Sequence, residues 1–271
     1  MHVSRNIRDA MVRELRVSGC VFAEDEAEWL IVWSDTMEEL EDRVAQRVAG
    51  MPLEYVLGWA DFYGLRVVLE PGVFVPRRRT EFLVQEAVAI TQDGDRVVDL
   101  CCGSGAVGLA LVTQRKRCQL YAVDLDPVAL RCARRNIGSQ GRVYGGDLYD
   151  PLPGHLKGRV NVLVANAPYV PTGSLAMMPQ EARLHEPASA LDGGGDGLDI
   201  QRRIAADALK WLAPGGYLLI ETSRAQAARS AEICASRGLT AQIAASDDLD
   251  ATVIVAKNTA AVRAEIPRLR G

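Results

Sequence analysis

Apolar residues recur at helical spacing through residues 1–50. Ile7, Met11 and Leu15 share one face, as do Ala27, Leu30 and Ile31. Thr36 and Glu39 form a capping box ahead of Met37, Leu40, Val44 and Val48, and Gly50-Met51-Pro52 ends that helix. From Tyr55 to Val75 the chain turns aromatic and β-branched. Breaks at Gly58, Gly64 and Pro71-Gly72 there predict short strands or a hairpin. Beyond residue 80 helical and strand-like runs alternate. Helices are predicted at Glu81–Ile90, at Ala106–Gln114, from Pro127 to about Ile137, and near 200–212 and 225–237. Strands are predicted at Arg96–Leu100, Gln119–Val123, 142–145, 160–165, 217–222 and 251–256. Such alternation implies parallel strands joined by right-handed crossovers, the doubly wound α/β class. The expected organisation is a small helical domain over 1–50, a linker over 51–80 and an α/β domain over 81–271. Gly193-Gly194-Gly195-Asp196-Gly197 reads as a flexible loop.

Composition narrows the chemistry. A chain of 271 residues with 48% hydrophobic content holds a real core. No apolar run reaches the roughly 18 residues of a membrane span, so no membrane partner is expected. Met1-His2-Val3-Ser4-Arg5 has no apolar segment behind it like a secretory signal. Six scattered cysteines without a Cys-x-x-Cys pair read as free thiols of a cytoplasmic protein, and with three histidines no metal site is expected. The net charge of −4 argues against direct nucleic-acid binding, which needs clustered Lys and Arg. Residues 24–42 carry nine acids and no base, either a solvated helix face or a docking surface for a protein. Arg77-Arg78-Arg79 and Arg131, Arg134, Arg135 read as ordinary surface arginines.

Ligands of open α/β sheets sit at the carboxyl ends of the strands. There the chain places Asp99, Cys101, Cys102, Gly103, Ser104 and Gly105 after the first predicted strand of the sheet. Gly103 and Gly105 permit a tight turn and a close approach of ligand to backbone. Asp99 is placed to hold a methionine end through water or the loop backbone. Asp124 closes the next strand, suited to ribose hydroxyls, and Asp147, followed by Leu148, is placed for an adenine amino group. A glycine loop alone also suits a nicotinamide cofactor. The presence of Asn166-Ala167-Pro168-Tyr169 after the fourth strand favours S-adenosyl-L-methionine (AdoMet). Cys101 and Cys102 read as small packing residues rather than a redox pair.

The turn carries the chemistry. An amide nitrogen is a poor nucleophile, so methylating it requires acceptors aimed at both N–H bonds. The Asn166 side-chain oxygen and the Ala167 carbonyl are candidates, Pro168 stiffens the backbone, and Tyr169 offers an apolar face. Asn166, Pro168 and Tyr169 are therefore the expected catalytic residues, Ala167 joins them in substrate binding, and Asn166 also faces the cofactor. Catalysis would rest on proximity and aimed dipoles rather than an ionised base. His155 and His185 read as surface or structural residues.

Ordered blocks then resemble the bacterial release-factor glutamine methyltransferases. Pro52–Gly58 with Phe62-Tyr63-Gly64 is similar to the family's linker, and Phe74-Val75-Pro76-Arg77 with Thr80-Glu81 to the segment that follows. Arg183, Glu186-Pro187, Ala190-Leu191 and Gly215–Glu221 resemble later blocks. The resemblance implies a Rossmann-like class I AdoMet methyltransferase domain with a seven-stranded, mostly parallel sheet. It implies a small N-terminal domain that docks a peptide chain release factor, whose Gly-Gly-Gln glutamine takes the methyl. The chain departs from the family's usual Asn-Pro-Pro-Tyr at Ala167, from a usual glycine at Cys101, from proline at Arg78 and from an aromatic at Leu148. Other expectations left open are another protein glutamine, an adenine, or AdoMet binding without turnover.

Overall fold

The computed structural model describes residues 3–260, so the ends of the expected 1–50 and 81–271 segments, 1–2 and 261–271, lie outside the described residues. Helices α1 (Arg5–Val17), α2 (Ala23–Val32) and α3 (Met37–Val48) enclose a core of their own around Leu15, Ala27, Leu30 and Leu40. Thr36 caps α3 by accepting from the Glu39 N–H at 3.2 Å. The Glu39 carboxylate reaches one residue further out than a capping box requires, to the Asp35 N–H at 2.8 Å. The acidic run over 24–42 is not a bare face: Glu26, Glu28 and Glu39 pair with Arg47, Arg8 and Arg43, and Glu24 with Arg16.

Helix α4 (Leu53–Leu57) occupies the start of the segment expected to be extended. Pro52 precedes it and Gly58, at φ 81°, takes the left-handed position that ends it. Strands β1 (Trp59–Phe62) and β2 (Leu65–Val68) then form an antiparallel hairpin. Next come α5 (Glu81–Ile90), β3 (Arg96–Leu100), α6 (Ala106–Thr113), β4 (Gln119–Asp124), α7 (Pro127–Ile137), β5 (Gly141–Gly145) and β6 (Val160–Ala165). The chain continues through α8 (Gln180–His185), α9 (Asp199–Trp211), β7 (Leu212–Thr222), α10 (Ala227–Ser236), β8 (Thr240–Ser246) and β9 (Ala251–Lys257).

The sheet has seven strands in the order β5-β4-β3-β6-β7-β9-β8, parallel except around β9, which runs antiparallel to both neighbours. Its central strands are near-continuous apolar runs because helices cover both faces. Every residue of α6 from Ala106 to Val112 is buried, so this helix shows no amphipathic stripe. Strand β8 was not among the expected strands. It lies at the sheet edge, is built largely of alanine and polar residues, and leaves Ile243 half exposed. The chain order reverses at β3, which pairs with β4 on one side and β6 on the other. That reversal opens a crevice at the carboxyl ends of the strands.

Candidate active site

A cavity of about 370 Å³ fills the crevice, within the roughly 300–1,000 Å³ usual for small-molecule sites. Asp99, Cys101, Cys102, Gly103, Ser104, Asp124, Asp147, Leu148, Asn166 and Pro168 all line it. Gly105 sits behind the wall at φ 79°, where a Cβ would meet Ile137 Cδ1 at 2.8 Å, so its role is close packing of the loop on α7.

The β3 loop is shaped by backbone and carboxylates together. The Cys102 N–H donates to the Val123 carbonyl at 3.0 Å and the Gly103 N–H to Asp124 Oδ2 at 2.8 Å. Asp124 Oδ1 accepts from the Asp126 N–H at 2.9 Å, so this side chain also organises the turn after β4. Burial pushes the Asp124 carboxyl up, opposed by those two N–H bonds. Asp99 is almost wholly enclosed and accepts from the Gly108 N–H at the start of α6 at 2.8 Å. Burial moves its carboxyl up to about 7, with the nearby Asp124 charge adding to the effect.

Cys101 holds φ 57°, the left-handed region, which costs a side-chain-bearing residue about 1–2 kcal/mol. A glycine at this position would carry no such strain. Both vicinal thiols are raised by desolvation, an environment for packing rather than thiolate chemistry. Asp147 is tied to Arg203 on α9 by a 2.6 Å ion pair. Arg203 and Ile200 line the cavity as well, and neither stood out in the sequence because they sit in a plain amphipathic helix. Leu148 faces the cavity, whereas Tyr149 turns into the core, stacks on Trp211 at 5.7 Å and donates to the Ile204 carbonyl.

At the other end of the cavity, β6 delivers the turn. Asn166 Nδ2 donates to Thr80 Oγ1 at 3.3 Å. Ala167 is enclosed, and neither it nor Tyr169 lines the cavity. The Tyr169 hydroxyl points instead to Glu221 Oε1 at 3.2 Å, so its ring is a strut behind the turn rather than a cavity wall. The glycines of 193–197 are not a free loop. A Cβ on Gly193 would lie 2.7 Å from the Pro168 carbonyl oxygen, and one on Gly197 2.3 Å from that of Tyr169. Gln226 Nε2 bridges the Tyr169 and Asp196 carbonyls at 2.9 and 3.0 Å. The arginines before α5 are likewise anchors: Arg77 pairs with buried Glu186, and Arg79 lies 3.8 Å from buried Glu221. His155 packs edge-on to Tyr121 and His185 ends α8; neither reaches the cavity. Among the described residues no cluster of metal-binding side chains occurs, and no helix is long and apolar enough to cross a membrane.

This fold is that of class I methyltransferases, and a methyltransferase from Pyrococcus furiosus superposes with a TM-score of 0.55 at 14% identity, covering 82% of this chain and 98% of that one. The Methyltransferase small domain family matches residues 64–197. A release factor glutamine methyltransferase of Mycolicibacterium smegmatis is 39% identical over 219 residues, 79% of this chain and 77% of the relative. One from Geobacter sulfurreducens is 39% identical over 187 residues, 68% of this chain and 65% of the relative, so this match spans just under two thirds of that protein. The chain belongs to the release factor glutamine methyltransferase family.

Proposed function

We propose that the chain transfers a methyl group from AdoMet to the side-chain amide nitrogen of a protein glutamine, in the Gly-Gly-Gln loop of a peptide chain release factor. The observation that carries this reading is Asn166: its Nδ2 is engaged by Thr80 and its place is on the cavity wall, which leaves Oδ1 as the group for an incoming N–H. The residues present fit AdoMet. Acidic side chains follow three consecutive strands, the loop is backbone-lined, and the buried Asp99 gains from a cation nearby. In this reading Asp124 holds the ribose, Asp147 the adenine amino group, and the 99–105 loop the methionine end.

When bound, AdoMet supplies an electrophilic methyl on a cationic sulfonium. The protein contributes alignment and polarity. Asn166 Oδ1 accepts from an amide N–H bond, draws density onto nitrogen and helps to fix its lone pair toward the donor. Pro168, on the cavity wall, stiffens the backbone of the turn that carries Asn166. No ionised base is required until the methylated amide sheds its extra proton.

Asn166→Ala tests the assignment. Turnover is expected to fall about 10²–10³-fold, as for loss of one oxyanion-hole donor, with AdoMet affinity within about twofold of wild type. Asn166→Asp is expected to bind AdoMet and turn over poorly, because a carboxylate favours the sulfonium ground state. Full activity in Asn166→Ala would remove this turn from the chemistry.

A further inference from the structure

Asparagine is a poor helix former because its amide competes for backbone hydrogen bonds, yet Asn136 sits inside the last turn of α7. Its amide is engaged with groups outside that helix. Oδ1 accepts from the Val68 N–H at 2.8 Å, and Nδ2 donates to the Val68 and Ser104 carbonyls, each at 2.9 Å. One side of the amide meets a donor and the other two acceptors, so it fits in a single orientation. Val68 is the last residue of β2, and both of its backbone groups turn to α7 rather than to β1. Asn136 therefore completes the open edge of the hairpin as a neighbouring peptide would.

The same side chain reaches the cofactor loop. Ser104 lines the cavity, and among the described residues Asn136 is the one donor to its carbonyl. The peptide joining Ser104 to Gly105 is thereby held at both ends, since the Gly105 N–H donates to the Cys102 carbonyl at 2.7 Å. Control is needed there. Gly105 sits at φ 79°, and glycine reorients at little steric cost, so an unheld peptide beside it can turn over. The hairpin end of the clamp is firm. Cys132, one turn earlier on α7, gives its thiol proton to the same Val68 carbonyl at 2.9 Å. Further along the hairpin, the Trp59 ring meets those of Trp29 and Trp33 edge-on at 5.4 and 5.3 Å. The Arg66 guanidinium covers Trp33 and Trp59 at 4.0 and 4.2 Å.

We propose that Asn136 is a positioning residue for AdoMet. It fixes the Ser104–Gly105 peptide of the cofactor loop against the edge of the β1–β2 hairpin, so that loop and hairpin tighten together when the cofactor binds. The proposal rests on the AdoMet reading of the cavity. Asn136 itself does not line the cavity, so its effect passes through the loop.

Two measurements test it. The first is residue-resolved amide exchange of the wild-type protein. AdoMet is expected to slow exchange at Val68 at least threefold, together with Gly103 and Gly105. Val67, whose N–H points toward β1 by the alternation of the strand, is expected to keep its rate. In Asn136→Ala the loop amides are expected still to slow, while Val68 no longer responds. A wild-type Val68 amide that ignores AdoMet while the loop amides slow would overturn the coupling.

The second is binding calorimetry, run well below each variant's thermal midpoint. Asn136→Asp keeps the size of the side chain but turns an oxygen on the two carbonyls. Its AdoMet Kd is expected to rise about tenfold, although the added negative charge would attract a sulfonium. Asn136→Ala is expected to show a similar rise, although alanine is the better helix former. With AdoMet saturating, kcat on a Gly-Gly-Gln peptide is expected within about threefold of wild type, because Asn136 lies outside the cavity. A Kd within twofold of wild type in both variants would contradict the positioning role and leave the proposed function intact. Coupled AdoMet binding in a wild type that does not methylate the peptide would contradict the function and leave the clamp standing.

Discussion

The cofactor-loop end of the cavity is made by residues that follow strand ends directly: Cys101–Gly105 after β3, Asp124 closing β4, Asp147 just past β5. The end around Asn166 is made differently. There the turn is held from behind by Thr80, Glu221, Gln226 and Gly193, each from a distant part of the chain, Thr80 being 86 residues away. The first end is a product of the local chain path and of hydrogen bonds to main-chain N–H groups. The second is a product of tertiary packing, and it depends on how the segment before α5 and the segment after the turn are anchored. One route of anchoring runs out to the N-terminal helices. Arg47 of α3 joins Glu26 of α2 at 2.6 Å, Glu181 of α8 at 2.7 Å and the Met51 carbonyl at 3.1 Å.

The largest effect is expected where that anchoring is cut. Arg47→Ala leaves Glu26 enclosed without its partner, and removing one member of a buried pair costs about 3–5 kcal/mol. Chemical denaturation is the measurement, with AdoMet affinity expected to hold in the folded fraction because the cofactor-loop end does not rest on Arg47. A stability loss below about 1 kcal/mol, or a parallel loss of AdoMet affinity, would erase the distinction between the two ends.

At the local end, Asp124→Ala is expected to weaken AdoMet binding by about 1–3 kcal/mol in calorimetry. Part of this comes from the ribose contacts and part from the loop, since Asp124 also holds the Gly103 and Asp126 N–H groups. An unchanged Kd would take Asp124 out of the site. The smallest effect is expected at Cys101. Replacing it by glycine removes the left-handed strain of about 1–2 kcal/mol but adds about 0.5–1 kcal/mol of unfolded-state entropy. A net gain of a few tenths to about 1 kcal/mol in thermal stability follows, and a net loss would mean that the thiol's packing outweighs the strain.

The same contrast explains what could be read from the sequence. Asp99, Asp124, Asp147 and Asn166 could be read as cavity-lining residues because each lies at or just past a strand end, and strand ends converge on one crevice in this topology. Thr80 stood in a family block without a visible role, and Glu221 looked like one more residue near the end of a strand. Their meaning arises only when β7 and the segment before α5 come together beside β6. Spacing does not say which side of a turn a side chain takes, and the hydroxyl of Tyr169, read from the sequence as an apolar face for the target group, points to Glu221. The glycines of 193–197 looked like slack, yet Gly193 and Gly197 pack on the carbonyls of the turn itself. Strand β8 carries too little apolar alternation to announce an edge strand, and Arg77 and Arg79 resembled any surface cluster until Glu186 and Glu221 appeared opposite them.

The most direct test of the central claim is methylation of a peptide presenting Gly-Gly-Gln, with the modified position mapped by tandem mass spectrometry. The wild-type protein with AdoMet is expected to place one methyl on the glutamine side-chain nitrogen and none on the matched peptide carrying glutamate. Equal methylation of the glutamate peptide, or a methyl mapped to any other residue of the glutamine peptide, would contradict an amide held by the Asn166 turn.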